Sequence, residues 1–566
     1  MNINSFKRFF FSFIFFFILA VAVFIALMIT VKIPEQNLYG KESTVIFDKN
    51  GNMLRVFPKD GQFYLPYSET DIVPEKLKKA VLFFEDKRFE DHFGVDFLAV
   101  GRAAFQNIKK QKIHSGASTI TMQLSRLMGE RDRTFFNKAV ESVIAMKIER
   151  KWSKDEILRK YLTYCPYGQN IHGYKTAAKK YFKKDPSELD WSEAALLAIL
   201  PNAPGLMHPE KNRARLTRKR DTLLENMMNA GIISKTEYEE AVSKEPPKIS
   251  IPFQTNAWHL TRNIESRTHP KNVYTTIDIS LQTFTEAAIK DFSSQTDSGL
   301  TNFAVIVADN RKSEVITYVG SHNFFDEYNN GQVDALISRR PVDGFLQPFL
   351  FALSVDNFGL EMDDMLNDVK KNYGTYTPTN RDDIYLKKVK AGVALRELRN
   401  VPAVNLLDQL GIENFYTFLK EAGAKSIPQP PEFYGYSFVS GGFDLQPVEL
   451  ATLYAGLASG GKFSKLETIL NKEKAKPQQL FSKKAAREVV EALRFKKSSK
   501  GKISYVAACT RNKRECFAIL FNADDTLLIW GGSATGYSDK IKYDPSENLS
   551  DIALSLFERI KDQPAQ

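Results

Sequence analysis

The segment that decides the fold reads EDKRFEDHFG and occupies residues 85–94. It places the carboxylates of Glu85 and Asp86 beside two cations and closes with His92 and Gly94. The apolar residues that precede it recur at helical spacing, namely Leu77, Ala80, Val81 and Phe84. This spacing predicts an amphipathic helix that delivers Glu85 at its end.

Two further segments accompany the first. SGASTITMQ, residues 115–123, is small and hydroxylated where a regular helix would carry bulky side chains. On a predicted helix, Lys138 and Glu141 lie three residues apart and so share a face. Two separated acids, Glu85 and Glu141, with cations between them suit a reaction that needs a base and has a charged leaving group.

The length and charge of the chain limit its class. Its 566 residues are too many for a single core, so we expect two or three domains. The net charge of +11 favours anionic partners such as a membrane surface, phosphates or nucleic acid. A solvated, lysine-rich surface explains much of the same excess, so only basic residues near the carboxylates carry functional meaning.

The three cysteines, Cys165, Cys509 and Cys516, form no Cys-x-x-Cys pair, so the sequence does not predict a structural zinc site. Cys509 and Cys516 can close a hairpin disulfide in an oxidising compartment, or all three can remain thiols. Both alternatives stay open on the sequence.

The N-terminus predicts the compartment. Residues 9–31 carry no charge and are long enough to span a bilayer core of about 30 Å. Lys7 and Arg8 precede them, so the positive-inside rule places residues 1–8 in the cytoplasm. Because apolar residues continue past a cleavage-like Ala-Val-Ala at 20–22, we expect a retained single-pass transmembrane helix with the remaining chain outside the cytoplasm.

The rest of the chain divides into four regions. We expect a small pedestal at 32–70, a helical domain at 71–245, a proline-containing linker at 246–272 and a mixed α/β domain at 273–566. Strands are expected at residues 44–57 (a hairpin), 302–309, 314–319, 516–521 and 526–530, and the last helix near 549–560. The segment 97–113 fits a helix resting on an anionic bilayer and equally an ordinary surface helix.

These residues resemble the class A penicillin-binding proteins, whose first extracytoplasmic domain is a peptidoglycan glycosyltransferase of family 51. Four segments agree in order and spacing: Glu85-Asp86 through Gly94, Gly116 to Gln123, Lys138 with Glu141, and Lys154 to Leu162. The segment YCPYGQNIHG, residues 164–173, is most similar to the 1C-type subgroup. Asn137 and Met122 depart from the family, which commonly has arginine and glutamine there.

The resemblance implies a fold class. It is a multidomain protein with an N-terminal transmembrane helix, a mainly α lysozyme-like glycosyltransferase domain and an α/β penicillin-binding domain of the serine β-lactamase-like class. It also implies a location in the bacterial cytoplasmic (inner) membrane, with the catalytic domains on the periplasmic or extracellular side.

The resemblance further implies the reaction. Lipid II, a lipid-linked disaccharide-pentapeptide, is the acceptor, and the growing lipid-linked glycan is the donor. The acceptor 4-hydroxyl attacks the anomeric carbon with inversion and displaces undecaprenyl pyrophosphate. Glu85 is the implied general base. Glu141 is implied to place cations, or a divalent metal ion such as magnesium or manganese, at the donor pyrophosphate.

The implied partners are lipid II, the glycan, the membrane and other cell-wall synthases. Neither an organic cofactor nor nucleic acid is implied. Arginines can bind a pyrophosphate in bidentate fashion, and hydroxyl and amide groups can bond phosphate or sugar oxygens. The expected substrate-binding residues are Asp86, His92, Arg102, Ser118, Thr119, Gln123, Arg126, Arg133 and Lys138. For His92, orienting the loop is an equal alternative.

The second half resembles the family's transpeptidase domain but lacks its chemistry. That domain needs a nucleophilic serine with a lysine three residues on, then Ser-x-Asn, then Lys-Thr-Gly. Gly344 and Gln347 stand at the places of the serine and the lysine, and Leu398 and Asn400 occupy the second motif. The third motif falls near 506–508 without a Lys-Thr-Gly. With neither hydroxyl nor amine no acyl-enzyme can form, so we expect this domain to be inactive.

Two other functions stay open on the sequence. The chain can be a non-catalytic cell-wall scaffold that binds glycan, lipid II or partner synthases, although the intact carboxylates speak against it. It can also be a lysozyme-like hydrolase, since two carboxylates also cleave glycans. The four segments and the cations near the acids favour synthesis over both.

Overall fold

The computed structural model of the chain describes residues 3–66, 68, 70–110, 118–129, 134–202, 212–248, 250–268, 272–296, 299–494, 501–511, 514–534 and 544–561. The chain forms two compact units. The first comprises residues 1–45 and 56–253, and the second comprises residues 46–55 and 254–566.

The secondary structure changes character between the two units. In chain order the helices are α1 Ile3–Thr30, α2 Glu75–Glu85, α3 Phe97–Lys110, α4 Ile120–Leu127, α5 Phe135–Lys151, α6 Lys154–Tyr164, α7 Tyr174–Ala177, α8 Trp191–Ile199, α9 Arg213–Asn229, α10 Lys235–Ser243, α11 Trp258–Thr268, α12 Ile279–Gln295, α13 Gln347–Phe358, α14 Ala391–Arg396, α15 Asn400–Leu410, α16 Ile412–Ala422, α17 Pro431–Tyr434, α18 Pro447–Ala458, α19 Lys483–Ala492 and α20 Ser546–Lys561.

The strands are β1 Thr44–Phe47, β2 Met53–Phe57, β3 Phe63–Tyr64, β4 Ile171–His172, β5 Asn272–Tyr274, β6 Asn302–Asp309, β7 Glu314–Val319, β8 Arg340–Pro341, β9 Met365–Asp368, β10 Lys387–Lys390, β11 Asp444–Leu445, β12 Lys462–Phe463, β13 Gln478–Gln479, β14 Ser504–Cys509, β15 Cys516–Phe521 and β16 Asp525–Gly532. Among the described residues, only the short parallel pair β3–β4 belongs wholly to the first unit.

The first unit is built around α8, which packs on α2 and α9. All residues of Trp191–Ile199 except Glu193 are buried, so α8 forms the centre of this core. The apolar stripe of α2, Leu77, Ala80 and Val81, faces this core. The helix ends at Glu85, which confirms the predicted position of this carboxylate at a helix terminus.

A close backbone contact holds the segment after Glu85 against α5. Gly94 has a φ of +85°, and a Cβ added there would lie 2.7 Å from the backbone carbon of Ala145. The same loop accepts a hydrogen bond from the Thr119 hydroxyl at the Gly94 carbonyl, at 2.7 Å. The loop therefore fixes the start of α4 relative to α2 and α5.

Helix α1 starts at Ile3, before Lys7 and Arg8, whereas we expected the apolar stretch to start at Phe9. No helix in the described part of the chain is long and apolar enough to cross a bilayer. The predicted transmembrane helix at 9–31 is therefore not confirmed.

The second unit centres on an antiparallel five-stranded sheet in the order β14-β15-β16-β6-β7. Helices α12 and α20 pack against the sheet and each other through Leu281, Ile289, Leu549 and Phe557. Helix α18 also packs on this sheet. The observed bounds of β6, β7 and β15 equal the predicted ones, and this mixed α/β unit confirms the predicted class of the second half.

The structure decides the cysteine pairing. Cys509 and Cys516 lie opposite each other in the β14–β15 register and form a disulfide. Cys165 is a buried free thiol. The hairpin disulfide is confirmed, and the alternative of three thiols is wrong.

Part of the predicted linker is helical. Helix α11, Trp258–Thr268, lies inside the segment 246–272, which we expected to lack regular structure. The prolines of that segment stand only near its ends, and Leu260 and Thr261 are buried. The uninterrupted stretch between Pro252 and Pro270 is long enough for three helical turns, so the prolines bound a helix rather than preventing one.

Candidate active sites

The Glu85 carboxylate is held by two amides. Gln123 donates from Nε2 to one carboxylate oxygen at 2.7 Å, and Asn202 donates from Nδ2 to the other. Burial raises the pKa of Glu85, while the hydrogen bonds from Gln123 and Asn202 oppose this rise. The result is a fixed, half-buried carboxyl group with a pKa above that of an ordinary glutamic acid, which suits a general base.

Tyr161 orients the amide that holds Glu85. Its hydroxyl donates to Gln123 Oε1 at 3.0 Å, so the Gln123 nitrogen points at the carboxylate. Burial raises the pKa of Tyr161 well above its ordinary value, and the hydroxyl therefore remains a donor. The motif containing Tyr161 was recognised in the sequence, but this role was not.

Glu141 accepts a bidentate pair from Arg126. The two bonds, from Nε and Nη2, measure 2.9 and 3.0 Å, and Glu141 is only 5% exposed. These hydrogen bonds raise the pKa of Arg126. Lys138 Nζ lies 3.9 Å from Glu141 Oε2 and donates to the Ser118 hydroxyl. Glu141 thus fixes two cations, both partly exposed, whose charge is available to an anion.

Helix α4 connects the two acids. Gln123 and Arg126 are three residues apart and so share a face of α4, from which the first reaches Glu85 and the second reaches Glu141. The structure therefore brings together the base and the paired cations that the sequence placed in separate segments.

Asp86 and His92 hold the fold around the site. Asp86 accepts the Ile120 amide hydrogen at 3.0 Å, at the first residue of α4. His92 donates from Nε2 to the same carboxylate at 3.0 Å, and both side chains are buried. Asp86 thereby satisfies a free N–H at the helix start and complements the positive end of the helix dipole.

The other predicted residues lie in different surroundings. Thr119 is the N-cap of α4, with its hydroxyl bonded to the Met122 amide and the Gly94 carbonyl. The Arg102 side chain is exposed on α3. Arg133 lies outside the described residues. Sequence reasoning missed Asn202, because only the fold brings it to Glu85.

A divalent metal ion is not matched by the side chains around Glu141. Both its oxygens accept from Arg126, and its next neighbour is the cation Lys138. Within the described ranges, no group of three His, Cys, Asp or Glu side chains is arranged to hold a metal. The two cations fixed by Glu141 fit an oxyanion rather than a metal ion.

In the second unit, a neutral amide stands at the position that the resemblance assigns to the lysine of a transpeptidase. Gln347 begins α13 and is fully buried, and its amide donates to Asn400 Oδ1 at 3.1 Å and to the Val439 carbonyl at 3.2 Å. Asn400 in turn donates to the Thr379 carbonyl at 3.0 Å. Gln347 Oε1 has no hydrogen-bond donor among the described residues.

Leu398 occupies the space beside Gly344. A Cβ added to Gly344 would lie 3.1 Å from Leu398 Cβ and 3.2 Å from Gln347 Nε2, closer than ordinary contacts. Leu398 is buried and has a φ of +49°. A serine at position 344 would therefore require its neighbours to shift. The three departures from the family pattern fit one another sterically.

Comparisons with known proteins match both units. The transglycosylase family model matches residues 50–228, and the model for the penicillin binding protein transpeptidase domain matches residues 303–508. Penicillin-binding protein 1C of Escherichia coli (strain K12) is 30% identical over 503 residues, which cover 87% of this chain and 65% of that protein.

Other relatives agree. Penicillin-binding protein 1F of Bacillus subtilis (strain 168) is 29% identical over 459 residues, which cover 76% of this chain and 62% of the relative. The chain thus spans less than two thirds of the length of both relatives. The crystal structure of penicillin-binding protein 1A from Haemophilus influenzae covers 93% of each chain with a TM-score of 0.53 at 16% identity, which shows a shared fold.

Proposed function

The chain belongs to the class A penicillin-binding proteins, and on this premise we propose that its first unit is a peptidoglycan glycosyltransferase that polymerises lipid II. The observation that carries the proposal is the arrangement around α4. One face of this helix fixes a base with a raised pKa at Glu85 and a carboxylate-bound cation pair at Glu141.

In the proposed reaction, Glu85 takes the proton of the acceptor 4-hydroxyl as that oxygen bonds to the donor anomeric carbon. The bond from this carbon to the pyrophosphate oxygen breaks, and the electron pair leaves with the lipid pyrophosphate. Gln123 and Asn202 hold the carboxylate in place for the transfer. Each turnover lengthens the glycan by one disaccharide and inverts the anomeric centre.

The leaving pyrophosphate gains negative charge as the bond breaks, so positive charge must already be in place. Arg126 and Lys138 supply it, because Glu141 holds both cations and both side chains remain partly exposed. Ser118 lies beside Lys138 and can donate its hydroxyl hydrogen to a phosphate oxygen. These residues are the proposed donor-side contacts.

We further propose that the second unit has no transpeptidase activity. The support is chemical: Gly344 has no hydroxyl, Gln347 has no basic amine, and Leu398 crowds the place of the nucleophile. The proposed roles left to this unit are binding of glycan or of a partner cell-wall synthase.

We also propose that the protein works at the outer face of a bacterial cytoplasmic membrane. Phe97 and Leu98 on α3 are 71% and 70% exposed, and Arg102 is exposed on the same helix. Exposed apolar side chains beside cations fit an anionic bilayer surface, where a lipid-linked substrate must be met.

The test is to incubate the purified full chain with labelled lipid II in detergent and to separate products by size. The proposal expects glycan polymer from the wild type. Absence of polymer, with lipid II intact, would refute the function. Release of soluble fragments from purified peptidoglycan would favour a hydrolase, and normal cell-wall synthesis in cells with Glu85 and Glu141 both replaced would favour the scaffold.

A further inference from the structure

A basic groove opens next to Glu85, between the end of α2 and one face of α9. It has a volume of about 420 Å³ and is lined by Phe83, Phe84, Lys87, Arg215, Arg218, Lys219, Thr222, Leu223 and Asn226. Phe84 immediately precedes Glu85 in the chain, and Lys87 follows it by two residues. We call this cavity the α2–α9 groove.

The groove lining is unusually one-sided in charge. Four of its nine lining residues are cations, and no carboxylate is among the described residues that line it. Arg215, Arg218 and Lys219 follow the helical spacing that puts them on one face of α9. Arg213 and Arg220, on other faces of the same helix, are instead paired with Glu245 and Asp221. No acidic residue among the described lining residues balances the charge of the four groove cations.

The groove is connected electrostatically to the base. The positive charge of Lys219 acts to lower the pKa of Glu85, against the larger effect of burial. Lys219 is half-buried, whereas Arg215 and Arg218 are exposed. A merely solvated helix face accounts for exposed arginines, but it does not account for a half-buried lysine in the lining of a cavity.

The aromatic residues shape the entrance. Lys87 Nζ lies 3.8 Å from the centroid of the Phe83 ring, so a cation–π contact holds this ammonium group at the end of α2. Thr222 and Asn226 add a hydroxyl and an amide farther along α9. The groove therefore offers several positive charges, neutral hydrogen-bonding groups and an apolar wall, which together suit a polyanionic group attached to a sugar or lipid.

We propose that the α2–α9 groove binds the polyanionic part of the acceptor substrate, an inference that rests on the function proposed above. The acceptor is the substrate whose hydroxyl must contact Glu85, and the groove adjoins Glu85. The donor pyrophosphate has its own cations, Arg126 and Lys138, which are separate from the groove. The anion is the acceptor's pyrophosphate or the carboxylates of its peptide, since both are oxyanions that arginine binds well.

The first test measures binding of inorganic pyrophosphate to the full chain in detergent by isothermal titration calorimetry. The test variant is Arg215→Gln/Arg218→Gln, in which both changed side chains are exposed. The matched control is Lys76→Gln/Lys79→Gln, which removes the same charge from exposed positions on α2. We expect the Kd of one site to rise about tenfold in the test variant, the loss of roughly one charge-assisted hydrogen bond, and to stay unchanged in the control. Identical isotherms for the wild type and the test variant, together with an unchanged KM in the second test, would overturn the proposal.

The second test measures polymerisation at varied lipid II concentration. We expect the test variant to raise KM about tenfold with kcat within about twofold of wild type, because the groove acts on binding. A lipid II analogue without the peptide distinguishes the sources: a KM effect that persists indicates pyrophosphate, and one that disappears indicates peptide carboxylates. A fall in kcat with unchanged KM would overturn the proposal.

The proposed anion binding by the groove and the proposed glycosyltransferase function can be refuted separately. Polymer from the wild type and from the test variant with equal KM would refute the groove and leave the glycosyltransferase standing. A wild type without polymer would refute the function, and the pyrophosphate titration would still decide whether the groove binds an anion.

Discussion

The two units place polar side chains at the start or end of a helix in opposite ways. At the end of α2, the Glu85 carboxylate is fixed by hydrogen bonds from two side-chain amides, and it is only half-buried. At the start of α13, Gln347 is neutral, fully buried and bonded to Asn400 and Val439. Glu85 therefore remains accessible at its helix terminus, whereas Gln347 is enclosed by the packing of the second unit.

The difference bears on the proposed loss of transpeptidase chemistry in the second unit. Glycine, a neutral amide and leucine stand at the positions that the resemblance assigns to the first two transpeptidase motifs, and none of these three side chains is ionised. The proposed general base, Glu85, cannot be exchanged for a neutral side chain without losing its proton acceptor.

The largest effect is expected for Glu85→Gln. The substitution keeps the size of the side chain and removes the proton acceptor, so kcat should fall about 10³-fold. Quantified polymer from labelled lipid II measures the loss. Glu75→Gln, at the exposed start of the same helix, is the matched control and should retain activity. Undiminished polymer from Glu85→Gln would show that Glu85 is not the general base.

Glu141→Gln should have the next largest effect. It takes away the carboxylate that holds Arg126 and Lys138, so both cations lose their fixed positions and kcat should fall about 10²-fold. Initial rates of polymer formation provide the measurement. An unaltered rate would mean that the leaving group is stabilised elsewhere.

A smaller effect, about tenfold at neutral pH, is expected for Gln123→Leu. The Gln123 hydrogen bond lowers the pKa of Glu85, so its loss raises that pKa further. The base must be deprotonated to act, and the acid limb of the kcat/KM profile should therefore move to higher pH. A complete pH–rate profile tests this.

The control for Gln123 is on the same helix. Ser125→Ala removes a buried hydroxyl that bonds to no described residue, so the acid limb should keep its position. If Gln123→Leu does not shift the acid limb of the kcat/KM profile, Glu85 is not the group whose protonation produces that limb.

No effect on polymerisation is expected for Gln347→Leu, because all residues of the proposed glycosyltransferase site belong to the first unit. The substitution leaves Asn400 Oδ1 and the Val439 carbonyl without their donor. It should lower the free energy of unfolding of the second unit by about 1–3 kcal/mol. Thermal unfolding and the lipid II assay measure the two quantities, with the exposed Gln295→Leu as control. A large loss of polymer would contradict the separation of roles.

Several secondary-structure elements and the two acids of the candidate site could be predicted from local sequence patterns. Strands β6, β7 and β15 follow from alternating and continuous apolar runs, and the place of Glu85 follows from the apolar stripe of α2. Motif order pointed to Glu85 and Glu141 because each lies in a short segment whose residue types are informative on their own.

The remainder depended on long-range contacts. Asn202 reaches Glu85 only because α8 packs on α2, and nothing around Asn202 in the sequence marks it. Asp86 and Thr119 look like substrate ligands in a motif, yet both satisfy free N–H groups of α4. The helix α11 was hidden by the prolines at its flanks.

The central claim is that the first unit holds an active polymerase site and that the second holds a transpeptidase-like site without catalytic chemistry, and it has one direct test. The purified full chain is incubated with lipid II carrying its complete peptide, and in parallel with a labelled β-lactam followed by denaturation. We expect glycan polymer without peptide crosslinks and no label retained on the protein. Absence of polymer, crosslinked product, or label that survives denaturation would contradict the account.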